Sequence, residues 1–266
     1  MQSMVIISEL IIYLIVFGLI YYTIRTLACK NFVYLIGWKG FMFFSFIGTP
    51  LHELSHLVAA IIFGHKINDV VLFSPKKAKQ TGELGHVNHS WNLKSKYQNA
   101  GNFFIGVAPM IVGVLSIILM IKFMFPEYAS AVIPQSTGEI NFLFFVDVAK
   151  NMFLNIDKLL KFNRLEFYIF IFVSISIVLH MSISIADLKN SFLGIFSLLF
   201  ISSMVVLTLS VVFNIHEGMI SFLSNILYYV VFGMILGFIL LALLTIISLI
   251  AVLIKILIKK SIMHAH

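Results

Sequence analysis

His52, Glu53 and His56 form the run HELSH, set between the apolar stretches FMFFSFIGTPL and LVAAIIFG. In a helix the two histidines stand one turn apart on one face, so both imidazoles can grip a single zinc ion. Glu53 then points beside the metal. Zinc lowers the pKa of a water it holds to about 7, and a carboxylate in that place can take the proton, which makes a nucleophile for hydrolysing a peptide bond. Ionisable side chains in mid-membrane are costly unless paired or metal-bound, so this cluster points to function rather than packing.

A catalytic zinc site needs a third protein ligand and an open position for water. The run HMSISIAD spaces His180, Ser184 and Asp187 by four and three residues, one face of a single helix. His56 lies roughly 10 Å inside the end of its span at the helical rise per residue, and Asp187 lies near the matching end of a span that runs the same way. Asp187 is therefore the expected third ligand, with His180 and then Glu217 next in order. His86 and His89 sit in a polar loop and offer further imidazoles, although loop histidines read first as solvated groups.

These residues need a membrane scaffold. The chain has 266 residues, of which 61% are hydrophobic and 11% charged, with a mean hydropathy of +1.06. Soluble domains carry about twice that share of charge. The composition predicts an all-α polytopic membrane protein, a single integral membrane domain over 1–266 that crosses the cell membrane several times with the lipid bilayer as its surroundings. The net charge of +7 comes from Lys and Arg that flank apolar spans, as topology requires, so nucleic acid is excluded as a partner. Cys29 is the single cysteine, which rules out an internal disulfide and a cysteine metal site.

About six transmembrane helices are expected, over 4–24, 41–63, 102–125, 167–186, 193–213 and 226–254. No basic residue precedes the first and no small-x-small site follows it, so it reads as a span and not as a signal peptide. Arg25, Lys30 and Lys39 mark a short connection that carries Tyr34 and Trp38. Gly48, Thr49 and Pro50 predict a kink or restart just before HELSH. KINDVVLF and GELGHVNH, on either side of SPKKAKQT, predict a small β-hairpin after the second span. In the third span Gly106, Ala108 and Gly113 allow close helix approach, Pro109 frees a backbone carbonyl, and Pro126 ends the helix. Ser136 and Glu139 fit a capping box before INFLFFVDVAKNMFLNIDKLLKF, which reads as an amphipathic helix at the interface. The summed Lys and Arg of the loops favour termini in the cytoplasm.

The chain resembles the site-2 intramembrane zinc metalloproteases, which carry HExxH in one membrane helix and an aspartate ligand in a later one. HELSH matches the first motif in full and Asp187 matches the aspartate. Ala186 and Leu188 stand where that family has Leu and Gly, and no Asn-x-x-Pro precedes them. The likeness covers 41–194 as a catalytic core, leaving 4–24, 193–213 and 226–254 as extra helices. It implies a zinc-dependent metalloendopeptidase that cuts transmembrane or membrane-associated protein and peptide substrates. It further implies that His180 steadies the scissile carbonyl and that the hairpin receives an unwound substrate as an added strand. Two other classes remain open: a catalytically inactive relative that binds membrane segments, and a transporter using intramembrane His and Asp. A transporter should show an internal repeat, and no second copy of the HELSH span is found.

Overall fold

A computed structural model describes residues 2–134, 142–160, 164–212 and 216–264. In chain order it contains α1 (Gln2–Ile62), β1 (Lys66–Val71), α2 (Pro75–Thr81), β2 (His86–Ser90), α3 (Lys96–Met124), α4 (Pro126–Val132), α5 (Phe142–Leu154), α6 (Ile156–Leu160), α7 (Arg164–His180), α8 (Ile185–Val212) and α9 (His216–His264). Apolar side chains dominate every long helix, and many of them face outward: Phe43 is 64% exposed and Phe196 82%. Water tolerates no such continuous apolar exterior, whereas lipid does. Among the described residues, three helices are long and apolar enough to cross a membrane: Val5–Ile62, Lys96–Met124 and Ile220–Ile262. Ala186–Phe192 and Gly194–Val206 qualify only together, as a pair bent by 42°, and Leu165–His180 is apolar but shorter.

α1 is one helix in name only. Gly37 has φ 70° and ψ 173°, outside the helical region, and glycine reaches that conformation at little steric cost. Straight continuation would set Phe32 and Phe44 about 18 Å apart along the axis. Their rings meet at 5.7 Å. Arg25 and His52 also reach neighbouring carbonyls, those of Leu179 and His180. The chain therefore turns back on itself at Gly37, and both arms pack against the end of α7. The connection expected over 25–39 shrinks to this one residue, because a positive-φ glycine reverses the chain without a polar loop. The break expected at Gly48 to Pro50 is absent, since the helix runs through Pro50.

β1 and β2 pair antiparallel, with a register irregularity between Ile67 and Asp69. The hairpin is as expected, but its connection is helical. Ser74 caps α2 by accepting from the Lys77 amide, Pro75 occupies the first turn, and Gly82 closes the helix at φ 77°. α3 ends at Met124, and Pro126 opens α4. In α5, Phe144, Val148 and Met152 are buried at four-residue steps while Asp147 and Lys150 are exposed, the pattern of an amphipathic helix. The capping box at Ser136 and Glu139 lies outside the described residues. The core between these elements is built from Tyr21, Ile117, Phe125, Leu179, Phe232 and Leu236.

Candidate metal centre

HELSH lies on the second arm of α1, where Glu53 and His56 are each 7% exposed. The Nδ1 of His52 is 2.5 Å from the carbonyl oxygen of His180, and the Nδ1 of His56 is 2.8 Å from that of Ile105. A carbonyl oxygen only accepts, so both Nδ1 atoms carry hydrogen and donate it. In the neutral rings both Nε2 atoms then present lone pairs. Those two atoms stand 3.2 Å apart, and Asp187 Oδ2 lies 3.6 Å from the Nε2 of His56. One ligand atom from each of His52, His56 and Asp187 falls within 4.8 Å of the others.

Three lone-pair donors converging without a hydrogen between them repel one another unless a cation sits among them. Zinc with nitrogen ligands at about 2.0–2.1 Å and tetrahedral angles sets those nitrogens about 3.3 Å apart, close to the spacing seen here. The donor set therefore fits a divalent metal such as zinc, and each histidine already has the carbonyl partner that fixes a metal ligand's tautomer and ring orientation.

Both carbonyls are available for a reason written in the sequence. Within α3 the oxygen of Ile105 would accept from residue 109, which is proline and has no N–H. Pro109 thus releases the acceptor that His56 takes. In α7 the oxygen of His180 would accept from Ser184, but that amide bonds Asp187 Oδ2 at 3.0 Å instead. Asp187 N in turn donates to Ser184 Oγ at 3.0 Å, a reciprocal capping box that opens α8. The capping box thus fixes the Asp187 carboxylate and frees the His180 carbonyl at once. The other carbonyls at the end of α7 are also satisfied, Val178 by Tyr21 Oη at 2.7 Å and Leu179 by Arg25 Nε at 2.6 Å. A guanidinium there also complements the negative end of the α7 dipole.

His180, Ser184 and Asp187 consequently do not share one helical face. α7 stops at His180, and Asp187 belongs to the first turn of α8. His180 reaches the centre through its backbone. Its own Nδ1 donates to the Ser176 carbonyl at 2.9 Å, so in the neutral ring Nε2 has no hydrogen to offer a scissile carbonyl. Its ring packs beside Phe41, 6.0 Å between centroids.

Glu53 lies within electrostatic reach of Asp187 and Glu83. The hairpin covers it: a methyl built on Gly85 would stand 2.7 Å from Glu53 Cγ and 2.8 Å from the carbonyl oxygens of Val71 and Leu72. Only glycine lets the strand approach so closely.

The loop histidines stay apart from the ligand cluster. His86 Nε2 pairs with Asp69 Oδ2 at 2.8 Å, and that hydrogen bond holds the Asp69 carboxyl below its usual range. His65 donates Nε2–H to the Gln98 carbonyl at 2.9 Å, so its Nδ1 accepts from His89 Nδ1 at 2.9 Å. Burial first, and then the neighbouring His65, push the His89 imidazole down to about 4. The Glu217 side chain lies outside the described part of the chain.

Of the residues singled out from sequence, His52, His56 and Asp187 come together, Glu53 lies close by, and His86 and His89 do not join them. Sequence reasoning missed the Ile105 and His180 carbonyls as partners of the ligands, and it missed Arg25 and Tyr21 as caps of α7. Pro109 and the Ser-x-x-Asp pattern were the signals that could have found the first two. In comparisons with known proteins the chain matches no family model, no curated protein and no solved structure.

Proposed function

We propose that the chain is an intramembrane zinc metalloprotease of the site-2 kind, a multi-pass protein that hydrolyses peptide bonds in membrane-embedded or membrane-adjacent substrates. The observation that carries this reading is the pair of inward lone pairs on His52 and His56, each ring held by a backbone carbonyl, with the Asp187 carboxylate beside them. His52, His56 and Asp187 would hold the zinc. When bound, zinc supplies a lowered pKa for the attacking water and a Lewis acid for the scissile carbonyl.

Glu53 accepts the water's proton as the water oxygen adds to the carbonyl carbon. It returns that proton to the amide nitrogen as the C–N bond breaks. The buried position beside Gly85 keeps bulk water from competing for that proton. His180 acts through its backbone, by orienting His52. β1 and β2 form a two-stranded sheet, so each strand has an edge that an unwound substrate segment can join.

Glu53→Gln tests the reading, since glutamine keeps the size and cannot take the proton. Cleavage of a transmembrane reporter in detergent should fall at least about 100-fold while zinc content stays as in the wild type. An unchanged cleavage rate would remove Glu53 from the chemistry. Zinc bound by a wild-type chain that cuts no membrane segment would favour the inactive, segment-binding relative.

A further inference from the structure

A second site lies away from the metal centre, between α3, α4 and the start of α9. It is a cavity of about 840 Å³. Leu14, Met110 and Met234 line one end of it, and Lys122, Ser130 and Asn225 the other. Met110 and Lys122 share α3, so the two ends stand about 18 Å apart at the helical rise. The cavity is therefore an elongated slot that is apolar at one end and polar, with a single cation, at the other. Lys122 is exposed, and among the described residues it forms no ion pair. Leu115 and Phe222, 51% and 64% exposed, border the slot and open it sideways.

Size separates the candidate occupants. A membrane-crossing helix, about 10 Å across and 30 Å long, fills on the order of 2,400 Å³ and exceeds the slot several-fold. One acyl chain spans about 15 Å, half of the hydrocarbon thickness, and fits the 18 Å length estimated above. The cavity volume is in the range of about 300–1,000 Å³ that houses a single small ligand. Charge then selects the headgroup. Lys122, with the Asn225 amide on the same lining, complements a phosphate and gives a cationic head no counter-charge.

We infer that this slot binds one anionic phospholipid of the surrounding bilayer, with an acyl chain along α3 toward Met110 and the phosphate at Lys122. The lipid enters sideways between Leu115 and Phe222. This inference rests on the membrane reading and is independent of the metal.

The test is native mass spectrometry of the full chain in a neutral maltoside detergent, loaded in turn with phosphatidylglycerol, the diacylglycerol of the same acyl chains, and oleate. Phosphatidylglycerol should be retained about tenfold more than the diacylglycerol, the factor a charge-assisted contact brings, and Lys122→Gln should remove that preference. Leu115→Trp narrows the opening at an exposed position where folding is little affected, and it should lower retention of phosphatidylglycerol. Equal retention of phosphatidylglycerol and the diacylglycerol by the wild type, or a preference that survives Lys122→Gln, would overturn the site. Retention of oleate in place of phosphatidylglycerol would overturn the phospholipid as its occupant. Zinc content, measured on the same samples, reports on the metal centre separately.

Discussion

Pro109→Ala should make the protein more stable and its metal centre weaker, two effects of opposite sign from one methylene-scale change. Proline inside a helix interior costs up to about 3 kcal/mol against alanine, so the substitution should raise the thermal midpoint of the metal-free protein. The restored amide at 109 finds the Ile105 carbonyl one turn back, and that oxygen now accepts from His56 Nδ1 at 2.8 Å. Losing the outer partner of a metal-bound histidine lowers affinity about 10–100-fold. The Ile105 oxygen keeps a second lone pair, so the lower end, about tenfold, is the expected loss. Competition between the purified protein and a chelator of known zinc affinity reads the effect directly, with thermal unfolding of the metal-free samples alongside. A raised midpoint with zinc affinity within about twofold of the wild type would refute the idea that this proline serves His56.

Two further substitutions probe neighbouring contacts. Gly48→Ala drives a methyl to 2.0 Å from the Ser176 carbonyl, so the second arm of α1 must part from α7 by about 1.5 Å to reach ordinary contact. The His52 bond to His180, one turn away, then stretches past about 3.2 Å, and zinc affinity should fall at least about tenfold by the same competition assay. His89 titrates at about 4 in the folded hairpin against about 6.5 unfolded, with His65, His56 and Asp187 as the ionisable groups around it. Between those values the unfolded chain binds more protons, so the hairpin's stability is intact above pH 6.5 and declines as pH falls from about 6.5 to about 4. Amide exchange at β2 should quicken over that window, and His89→Gln should flatten the dependence.

The parts of this site that were legible in the sequence are those set by local spacing. His52 and His56 repeat at one helical turn, and that geometry survives whatever surrounds it. Asp187 stood out as an acid beside an apolar run. The structure reaches the same carboxylate by a different route, because Ser184 and Asp187 start a new helix instead of extending the old one. The spacing of four and three suits both a continuous helix and a capping box, and periodicity alone cannot separate them. The reversal between the first two spans was legible in Arg25, Lys30 and Lys39, but its narrowing to Gly37 was not, because a single backbone conformation leaves no residue pattern. Pro50 and Pro109 are chemically alike in sequence. The helix runs through both, and the freed carbonyl has a visible use only where His56 comes from another helix to take it. Backbone carbonyls carry no residue signature, so the groups that fix the two imidazoles appear only once the helices are packed.

Metal analysis of the purified chain beside His56→Ala and Asp187→Ala tests the central claim most directly. A zinc ion gripped by two histidines and an aspartate should give about one zinc per wild-type chain and under about a tenth of that in His56→Ala, with Asp187→Ala also well below the wild type. Wild-type protein that takes up no zinc when supplied with it, or a His56→Ala variant that holds as much as the wild type, would contradict the assignment of this cluster as a zinc centre.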